Sequence, residues 1–304
     1  MEVSSSVATT AWKSGRFGAR RRSPRLLFGQ MYEDNAIECS VFPAGGRIFC
    51  IASAGCTAMK LSLHHDVVAV DLNPVQIAYV RQRLACAPIQ RGAADRIVAV
   101  GRALAPLAGW NKRTLRFFLE LDDSKEQVLF WQRYLNTRRF RVAFDFLLSR
   151  LSLRSIYSPL FLERLPSNFG AVLRSRMERC FALHSNRHNP YARLLLLGET
   201  GSENSSSRPE RIDLVCADAA AFLESQPPGG FSGFSLSNIA DGTNVVYQRR
   251  LIDAVKNAAA PGAKFVLRSF AEPQSTEPTN FASQDRSMLW GVVDVRPADA
   301  PVWV

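Results

Sequence analysis

Small or polar residues stand at the carboxyl ends of several predicted strands, where they could bind a ligand. These strand-end residues are Ser53–Gly55, Asp71, Asp218, Asn238–Asp241 and Ser269. Ligands of open α/β sheets bind beyond the carboxyl ends of the strands, so we expect these residues to meet in one site. Asp71 lies 19 residues after Ala52, close to the spacing at which an acid meets ribose hydroxyls.

The turn after the first predicted strand favours a nucleoside over a dinucleotide. Ala52, Ala54 and Cys56 stand where a G-x-G-x-G run would place glycines, and Gly55 is the only glycine there. A pyrophosphate needs very close backbone approach, so NAD and FAD are disfavoured. The uncharged adenosine of S-adenosylmethionine tolerates alanines better. A βαβ unit without a ligand is the alternative.

Two acids at strand ends have separate predicted roles. Asp71 would bind the ribose, and Asp218 with Ala219 would bind the adenine amino group. Asp218 also has the position of a helix N-cap, and the two roles are compatible.

The segment Ser237–Asp241 lacks the D/N-P-P-Y motif of many amino-methyltransferases. This absence counts against ordinary methylation of a base or an amine.

The elements that must position these residues alternate between strand and helix. Strands are predicted over Arg47–Ala52, Val67–Val70, Arg211–Cys216, Phe234–Ile239, Lys264–Ser269 and Leu289–Val295, the last as an antiparallel edge. Helices are predicted from near Thr57 and over Pro74–Ala85, Ala219–Ser225 and Tyr247–Ala260. The alternation predicts an α/β fold.

A mostly helical insertion interrupts this alternation. Apolar spacings of three and four, as in Val128, Trp131 and Leu135, predict helices there, with breaks near Pro159 and Pro166. The predicted organisation is a disordered basic leader (1–25), the first half of the core with an N-terminal lid segment (26–87), an acceptor-binding insertion (88–190) and the second half of the core (191–304).

The chain is basic, with a formal net charge of +11. Residues 102–193 hold 17 basic and 7 acidic residues, which suits an anionic partner, although solvated arginine-rich helices are an equal alternative.

No apolar run reaches the roughly 18 residues of a membrane span. The leader has the composition of an organelle transit peptide but no long apolar face. The predicted location is the cytoplasm, with peripheral membrane contact left open.

Neither the cysteines nor the histidines predict a metal site. Six cysteines contain no C-x-x-C pair, and buried, reduced thiols are the expectation, with Cys50 and Cys216 inside strands. His184 and His188 are four residues apart and could share a helix face, but no acid or cysteine accompanies them at ligand spacing. No metal is therefore expected.

Five stretches together resemble a known enzyme family. They are FGQMYED (28–34), RIFCIASAGCTA (47–58), VVAVDLNPVQ (67–76), NPYARLLLLG (189–198) and DRSMLWG (285–291). The chain resembles the S-adenosylmethionine-dependent 3-amino-3-carboxypropyltransferases of the betaine-lipid (BtaA-like) type, and isonocardicin synthase is similar to these. The resemblance runs from about Leu26 to Val295.

This resemblance implies a Rossmann-like class I S-adenosylmethionine-dependent transferase fold with a helical insertion. It also implies transfer of the methionine arm rather than the methyl group, with release of methylthioadenosine. The implied acceptor is the free hydroxyl of diacylglycerol, in betaine-lipid synthesis. A neutral hydroxyl is a weak nucleophile, so a base is expected beside it.

Site residues follow from the resemblance by position. The implied cofactor contacts are Gln30, Tyr32, Ala52, Ser53, Ala54, Gly55, Asp71, Leu72, Asp218, Ala219 and Asn238. Gln30, Tyr32, Glu33 and Asp34 would close over the methionine arm. Asp241 or Tyr32 would orient or deprotonate the acceptor, and Arg268 or Arg286 would hold the carboxylate of the arm.

Other functions stay open from the sequence. A small-molecule acceptor would keep the chemistry, as in isonocardicin synthase. A conventional methyltransferase, acting on RNA for example, is favoured by the charge, but no aromatic RNA-stacking signature supports nucleic-acid binding. A binding protein without activity is the third class, motivated by the alanines of the turn and opposed by Asp71 and Asp218. The aromatic residues of the insertion have two possible roles: they could lie on a membrane, or they could form the core of the insertion. These residues are Phe117, Phe118, Phe130, Trp131, Phe144 and Phe146.

Overall fold

The computed structural model describes residues 24–154, 159–199, 207–273 and 279–300, so nearly all of the predicted leader lies outside the described residues. The strands are Arg47–Ile51 (β1), Asp66–Asp71 (β2), Ile212–Cys216 (β3), Phe231–Ser235 (β4), Ala259–Ser269 (β5) and Val292–Pro297 (β6). They form one sheet in the order β3-β2-β1-β4-β5-β6.

One helix precedes β1, and the others lie between the strands, most of them in one long stretch between β2 and β3. Those of the core are Ala36–Val41 (α1), Cys56–Leu61 (α2), Pro74–Leu84 (α3), Ala219–Glu224 (α12) and Val245–Ala258 (α13). Those of the long stretch are Ala93–Leu104 (α4), Lys112–Leu119 (α5), Ser124–Phe130 (α6), Arg138–Leu147 (α7), Arg150–Leu153 (α8), Pro159–Arg164 (α9), Phe169–Leu183 (α10) and Pro190–Leu197 (α11).

The strand directions confirm the predicted fold class. Strands β1 to β5 pair in parallel, and β6 pairs with β5 in the antiparallel direction at the edge. The chain reverses its direction across the sheet after β3, because β1 lies between β2 and β4. This is a doubly wound, Rossmann-like α/β sheet, interrupted by a long helical stretch between β2 and β3, as predicted.

Two apolar layers cover the sheet. Successive residues of a strand point to opposite faces, so Ile48 and Cys50 lie in one layer and Phe49 in the other. The Phe49 layer packs against α12 and α13 through residues such as Leu223 and Leu251. The other layer is completed by α1, α2 and Trp290.

The helical stretch has an aromatic core of its own. Trp110, Phe118, Trp131, Phe140 and Phe181 are buried together, and the rings of Trp110 and Phe140 stack with centroids 4.2 Å apart. The indole nitrogen of Trp110 donates to the Leu135 carbonyl at 2.8 Å. Most of the aromatic residues considered for a membrane surface therefore serve as core. Phe117 and Phe146 are the exceptions, at 58% and 71% exposure.

Several predicted boundaries were wrong for local reasons. Strand β4 was predicted over Phe234–Ile239 but ends at Ser235, because Ser237 has a left-handed backbone (φ 52°) and a 3₁₀ turn follows over Ile239–Gly242. Strand β6 was predicted over Leu289–Val295 but begins at Val292. The break predicted near Pro159 adjoins residues 155–158, which lie outside the described part of the chain.

Not all thiols are buried as expected. Cys50, Cys56 and Cys180 are buried, whereas Cys39, Cys86 and Cys216 are exposed. Cys216 is exposed because β3 forms the edge of the sheet.

Within the described residues, no helix is long and apolar enough to cross a membrane.

Candidate active site

A cavity of about 300 Å³ opens at the carboxyl ends of the parallel strands, where the strand order reverses. Ligands of open α/β sheets bind at this kind of position. The strand ends and the N-terminal segment supply its lining, which consists of Leu27, Phe28, Ile51, Ser53, Val70, Asp71, Leu72, Asn73, Gln76, Ala217, Asp218, Ala219, Ser237, Asn238, Ile239, Gly242, Thr243, Asn244 and Tyr247.

Asp71 ends β2 and is fixed by two backbone donors. Its Oδ1 accepts from Asn73 N at 2.8 Å, and its Oδ2 accepts from Ser53 N at 3.2 Å. Burial raises the pKa of the Asp71 carboxyl to about 7, although these two bonds act in the opposite direction. The carboxylate thus has a fixed orientation and retains acceptor capacity for a pair of ligand hydroxyls.

The β1–α2 turn brings Ser53 to the cavity and holds it in a left-handed conformation. Ser53 has φ 44° and Gly55 has φ 83°. The Gly55 N–H closes the turn on the Ala52 carbonyl at 2.6 Å, and Ala54 is fully buried. Left-handed backbone at a non-glycine residue is strained, and such strain concentrates at functional sites. Of the predicted turn residues, only Ser53 is among the described residues that line the cavity.

Replacement of Gly55 by alanine is expected to destabilise the fold by roughly 2–3 kcal/mol. Alanine resists φ 83°, and a Cβ at this position would lie 2.8 Å from Val80 Cγ1. Urea unfolding of Gly55→Ala measures the loss. Gly45→Ala is the matched control, because Gly45 has φ 82° and no heavy atom within 4 Å of an added Cβ. Equal losses in the two variants would contradict the packing argument at Gly55.

Asp218 has the predicted position of a helix N-cap after β3, and its predicted contact with adenine stays a prediction. It caps α12 by accepting from Ala221 N at 2.9 Å, and it lies in the cavity lining beside Ala219. Burial raises the pKa of the Tyr247 hydroxyl, and the nearby Asp218 carboxylate acts in the same direction. A carboxylate has about four lone-pair sites, so Asp218 retains acceptor capacity toward the cavity.

The N-terminal segment lies across the cavity through contacts that the sequence did not indicate. Gln76 of α3 accepts from Leu27 N at 3.1 Å and donates to the Phe28 carbonyl at 2.7 Å. Leu27 and Phe28 thereby line the cavity. Gln76 lies within the stretch VVAVDLNPVQ, but a polar residue on a helix gives no signal for such a contact.

The end of β4 presents Ser237, which sequence reasoning did not select as a binding or catalytic residue. Its hydroxyl donates to Glu33 Oε1 at 2.5 Å, and its carbonyl accepts from Arg268 N at 2.7 Å. Asn238, next along the chain, also lines the cavity, and its backbone carbonyl accepts from Asp241 N at 3.1 Å. Glu33 lies behind Ser237 and is buried.

The predicted catalytic residues lie elsewhere. Asp241 is buried and accepts from Ser269 Oγ at 2.6 Å and from Phe270 N at 3.0 Å, so it joins the ends of β4 and β5. Burial raises the pKa of the Tyr32 hydroxyl, and the nearby Arg102 of α4 acts in the opposite direction. Asp241, Tyr32 and Gln30 are not among the described residues that line the cavity.

The two arginines predicted to hold a ligand carboxylate are engaged within the protein. Arg268 is fully buried and pairs with Glu38 at 2.5 Å and with Asp285 at 3.3 Å. Arg286 forms a bidentate pair with Asp34 at 2.5 and 2.8 Å. Neither arginine is among the described residues that line the cavity, and the acids that pair with the two guanidinium groups are distant in sequence.

The histidines have no shared helix face. Helix α10 ends at Leu183, so His184 is its C-cap, and His184 Nε2 bonds to the Ser283 carbonyl at 2.8 Å. His188 is exposed in the following turn. Within the described residues, no group of three or more His, Cys, Asp or Glu side chains could hold a metal ion.

Comparisons with known proteins give a distant structural likeness. No family model matches the sequence, and neither does any curated protein. The structure is similar to a crystal structure of the glycopeptide N-methyltransferase MtfA complexed with (S)-adenosyl-L-methionine, at 13% identity and a TM-score of 0.33, over 81% of this chain and 57% of that chain. A second MtfA structure gives 14% identity, a TM-score of 0.33, and 83% and 60% coverage. The chain spans less than two thirds of the length of those proteins.

Proposed function

We propose that the chain binds S-adenosylmethionine in the cavity at the strand ends. The observation that carries this proposal is the charge of the lining. Asp71 and Asp218 contribute carboxylates, and no lysine or arginine is among the described residues that line the cavity. Phosphate groups are commonly held by arginine or lysine. A nucleoside that carries a sulfonium cation fits this lining better than a nucleotide does.

The lining offers a partner for each part of the adenosine moiety. Asp71 would accept hydrogen bonds from the ribose hydroxyls, and Asp218 would accept from the adenine amino group. Leu72 and Ile239 supply apolar surface for the base. Phe28, held by Gln76, would cover the bound nucleoside.

The chemistry that we propose is transfer of the 3-amino-3-carboxypropyl arm to a hydroxyl. The acceptor oxygen attacks the γ-carbon of the arm, and the carbon–sulfur bond breaks with its electron pair moving to sulfur. Methylthioadenosine then leaves as a neutral thioether, and the hydroxyl proton passes to a base. The support for arm transfer is the sequence resemblance, together with the absence of D/N-P-P-Y at the end of β4.

We propose diacylglycerol as the acceptor, taken from a membrane surface. Helix α7 buries Phe140 on its inner face, while Val142 and Phe146 on the opposite face are 64% and 71% exposed. Exposed Arg138 and Arg139 flank them. An apolar face beside arginines suits an anionic lipid surface. Helix α9 of the same stretch contacts the cavity-lining segment Ile239–Gly242, and Arg164 of α9 bonds to Gln248 at 3.4 Å.

Mass spectrometry of the protein incubated with S-adenosylmethionine and diacylglycerol in anionic vesicles tests the proposal. Methylthioadenosine and a lipid heavier by one aminocarboxypropyl group are expected. Methylthioadenosine formed only with soluble metabolites would overturn the lipid acceptor and keep the chemistry. S-Adenosylhomocysteine as the product would overturn arm transfer in favour of methyl transfer.

A variant separates the surface from the chemistry. Phe146→Asp is expected to lower the rate on vesicles several-fold and to leave the rate on detergent-dispersed diacylglycerol unchanged, because only membrane contact is weakened. Leu183→Asp is the matched control, since Leu183 is 55% exposed at the end of α10. Equal rates of Phe146→Asp and the parent protein on vesicles would contradict a role of α7 at the membrane.

A further inference from the structure

Ser237 and Glu33 form a polar pair that leads from the cavity into the protein. Ser237 is in the cavity lining, and its hydroxyl donates to Glu33 Oε1 at 2.5 Å. Because the hydroxyl hydrogen is directed to Glu33, the lone pairs of Ser237 Oγ are available to a donor in the cavity. An acceptor hydroxyl bound beside Ser237 would therefore donate its hydrogen to Ser237.

The position of Ser237 is held against its backbone preference. Its φ of 52° is left-handed, a conformation that costs about 1–2 kcal/mol for a residue with a side chain. The hydrogen bond from Arg268 N to the Ser237 carbonyl, at 2.7 Å, helps to fix this geometry. Ser53 also has a left-handed backbone conformation. It lies just after β1, the strand that pairs with β4.

The surroundings of Glu33 favour uptake of a proton by its carboxylate. Arg268 is shared by Glu38 and Asp285, and both acids face Glu33 along with the Cys50 thiol. One buried guanidinium therefore pairs with two buried carboxyls, and Glu33 lies within electrostatic reach of all three groups. Burial raises the pKa of Glu33 to about 7, although Arg268 and Ser237 lower it. A group with a pKa near the operating pH is suited to general base catalysis.

We propose that Ser237 and Glu33 are the base of the transfer reaction, with Ser237 contacting the acceptor and Glu33 receiving the proton through it. This inference rests on the proposed function. As the acceptor oxygen bonds to the γ-carbon, its proton passes to Ser237 Oγ and the Ser237 proton passes to the Glu33 carboxylate. The carbon–sulfur electron pair remains on methylthioadenosine, and Glu33 later loses the proton to water. This pair takes the role that the sequence assigned to Asp241 or Tyr32.

Steady-state formation of methylthioadenosine by Glu33→Gln, Ser237→Ala and the parent protein tests the proposal. Glu33→Gln is expected to lower kcat about 100-fold or more, with little change in KM for S-adenosylmethionine. In the parent protein, kcat should rise with pH through about 7 and then level off, because the ionised form of Glu33 is the base. Glu33→Gln should lose this rise. Ser237→Ala should lower kcat as well, since it breaks the path from the cavity to Glu33.

Controls distinguish the base from a structural carboxyl. Glu224→Gln, at an exposed acid of α12, should match the parent protein in kcat and pH profile. The affinity of each variant for S-adenosylhomocysteine reports on whether the cavity is intact. Glu33→Gln with parental kcat and pH profile would overturn the base. A loss of kcat with the parental pH profile retained would also overturn it and leave a positioning role. Absence of methylthioadenosine from the parent protein would overturn the proposed function instead.

Discussion

Asp71→Asn is expected to weaken the binding of S-adenosylhomocysteine by roughly 100-fold. The substitution keeps the shape of the side chain but removes the charge and one acceptor oxygen, both of which the ribose hydroxyls would use. It also places an amide N–H₂ group against either Asn73 N or Ser53 N, two donors that the carboxylate now satisfies. Isothermal titration calorimetry measures the affinity without turnover.

The pH dependence of this affinity has a defined sign. The pKa of Asp71 is raised to about 7, so the carboxyl takes up a proton as the pH falls through 7. Binding to the ionised form should therefore weaken from pH 8 to pH 6 in the parent protein and change little in Asp71→Asn. Asp66→Asn is the matched control, since Asp66 begins the same strand at its exposed end and pairs with Arg211. Parental affinity in Asp71→Asn would contradict the assignment of the ribose to Asp71.

Arg268→Met is expected to lower the stability of the protein by about 3–5 kcal/mol. Arg268 is fully buried, and its removal would leave Glu38 and Asp285 buried without their cation. It would also remove a donor to the Asp34 carbonyl at 3.0 Å and so loosen the N-terminal segment. Shifts of the urea unfolding midpoint measure the loss.

Two further variants show whether unpaired charge causes this loss. Adding Glu38→Gln to Arg268→Met should recover part of the stability, because one uncompensated carboxylate is then removed. Arg116→Ala is the control for an ordinary ion pair, since Arg116 and Glu199 are both exposed, and a loss below about 1 kcal/mol is expected. A loss of that size in Arg268→Met would contradict the description of the cluster as a buried charge network.

The fold could be predicted from local pattern because each strand carries its own signal. Apolar runs such as RIFCI and DVVAVD indicate buried strands, and their alternation with helices determines an α/β class. The ends of the strands were harder to predict than the strands themselves. The end of β4 depended on the left-handed backbone at Ser237, and serine gives no signal of that conformation as glycine would.

The site could be predicted only where a residue ends a strand or lies a few residues beyond its end. Asp71, Asp218 and Ser53 come into the cavity because the carboxyl ends of parallel strands meet at one edge of a sheet. Glu33, Gln76 and Arg268 depend on contacts between residues far apart in sequence, such as the pairing of Glu33 with Ser237. No spacing rule gives such contacts, so the sequence offered no reason to select Ser237.

The helical stretch between β2 and β3 has a consequence for how the chain folds. Asp71 of β2 pairs with Cys216 of β3. These two paired residues are 145 positions apart in the sequence (216 − 71). Closing a flexible loop of that length is slow and entropically unfavourable. Formation of the aromatic core around Trp110 and Trp131 before β3 pairs would shorten the effective loop, and each halving of its length lowers the closure free energy by about 0.6 kcal/mol. We therefore expect the helices to form before the edge strand joins the sheet, so that the segment inserted into the core also assists its assembly.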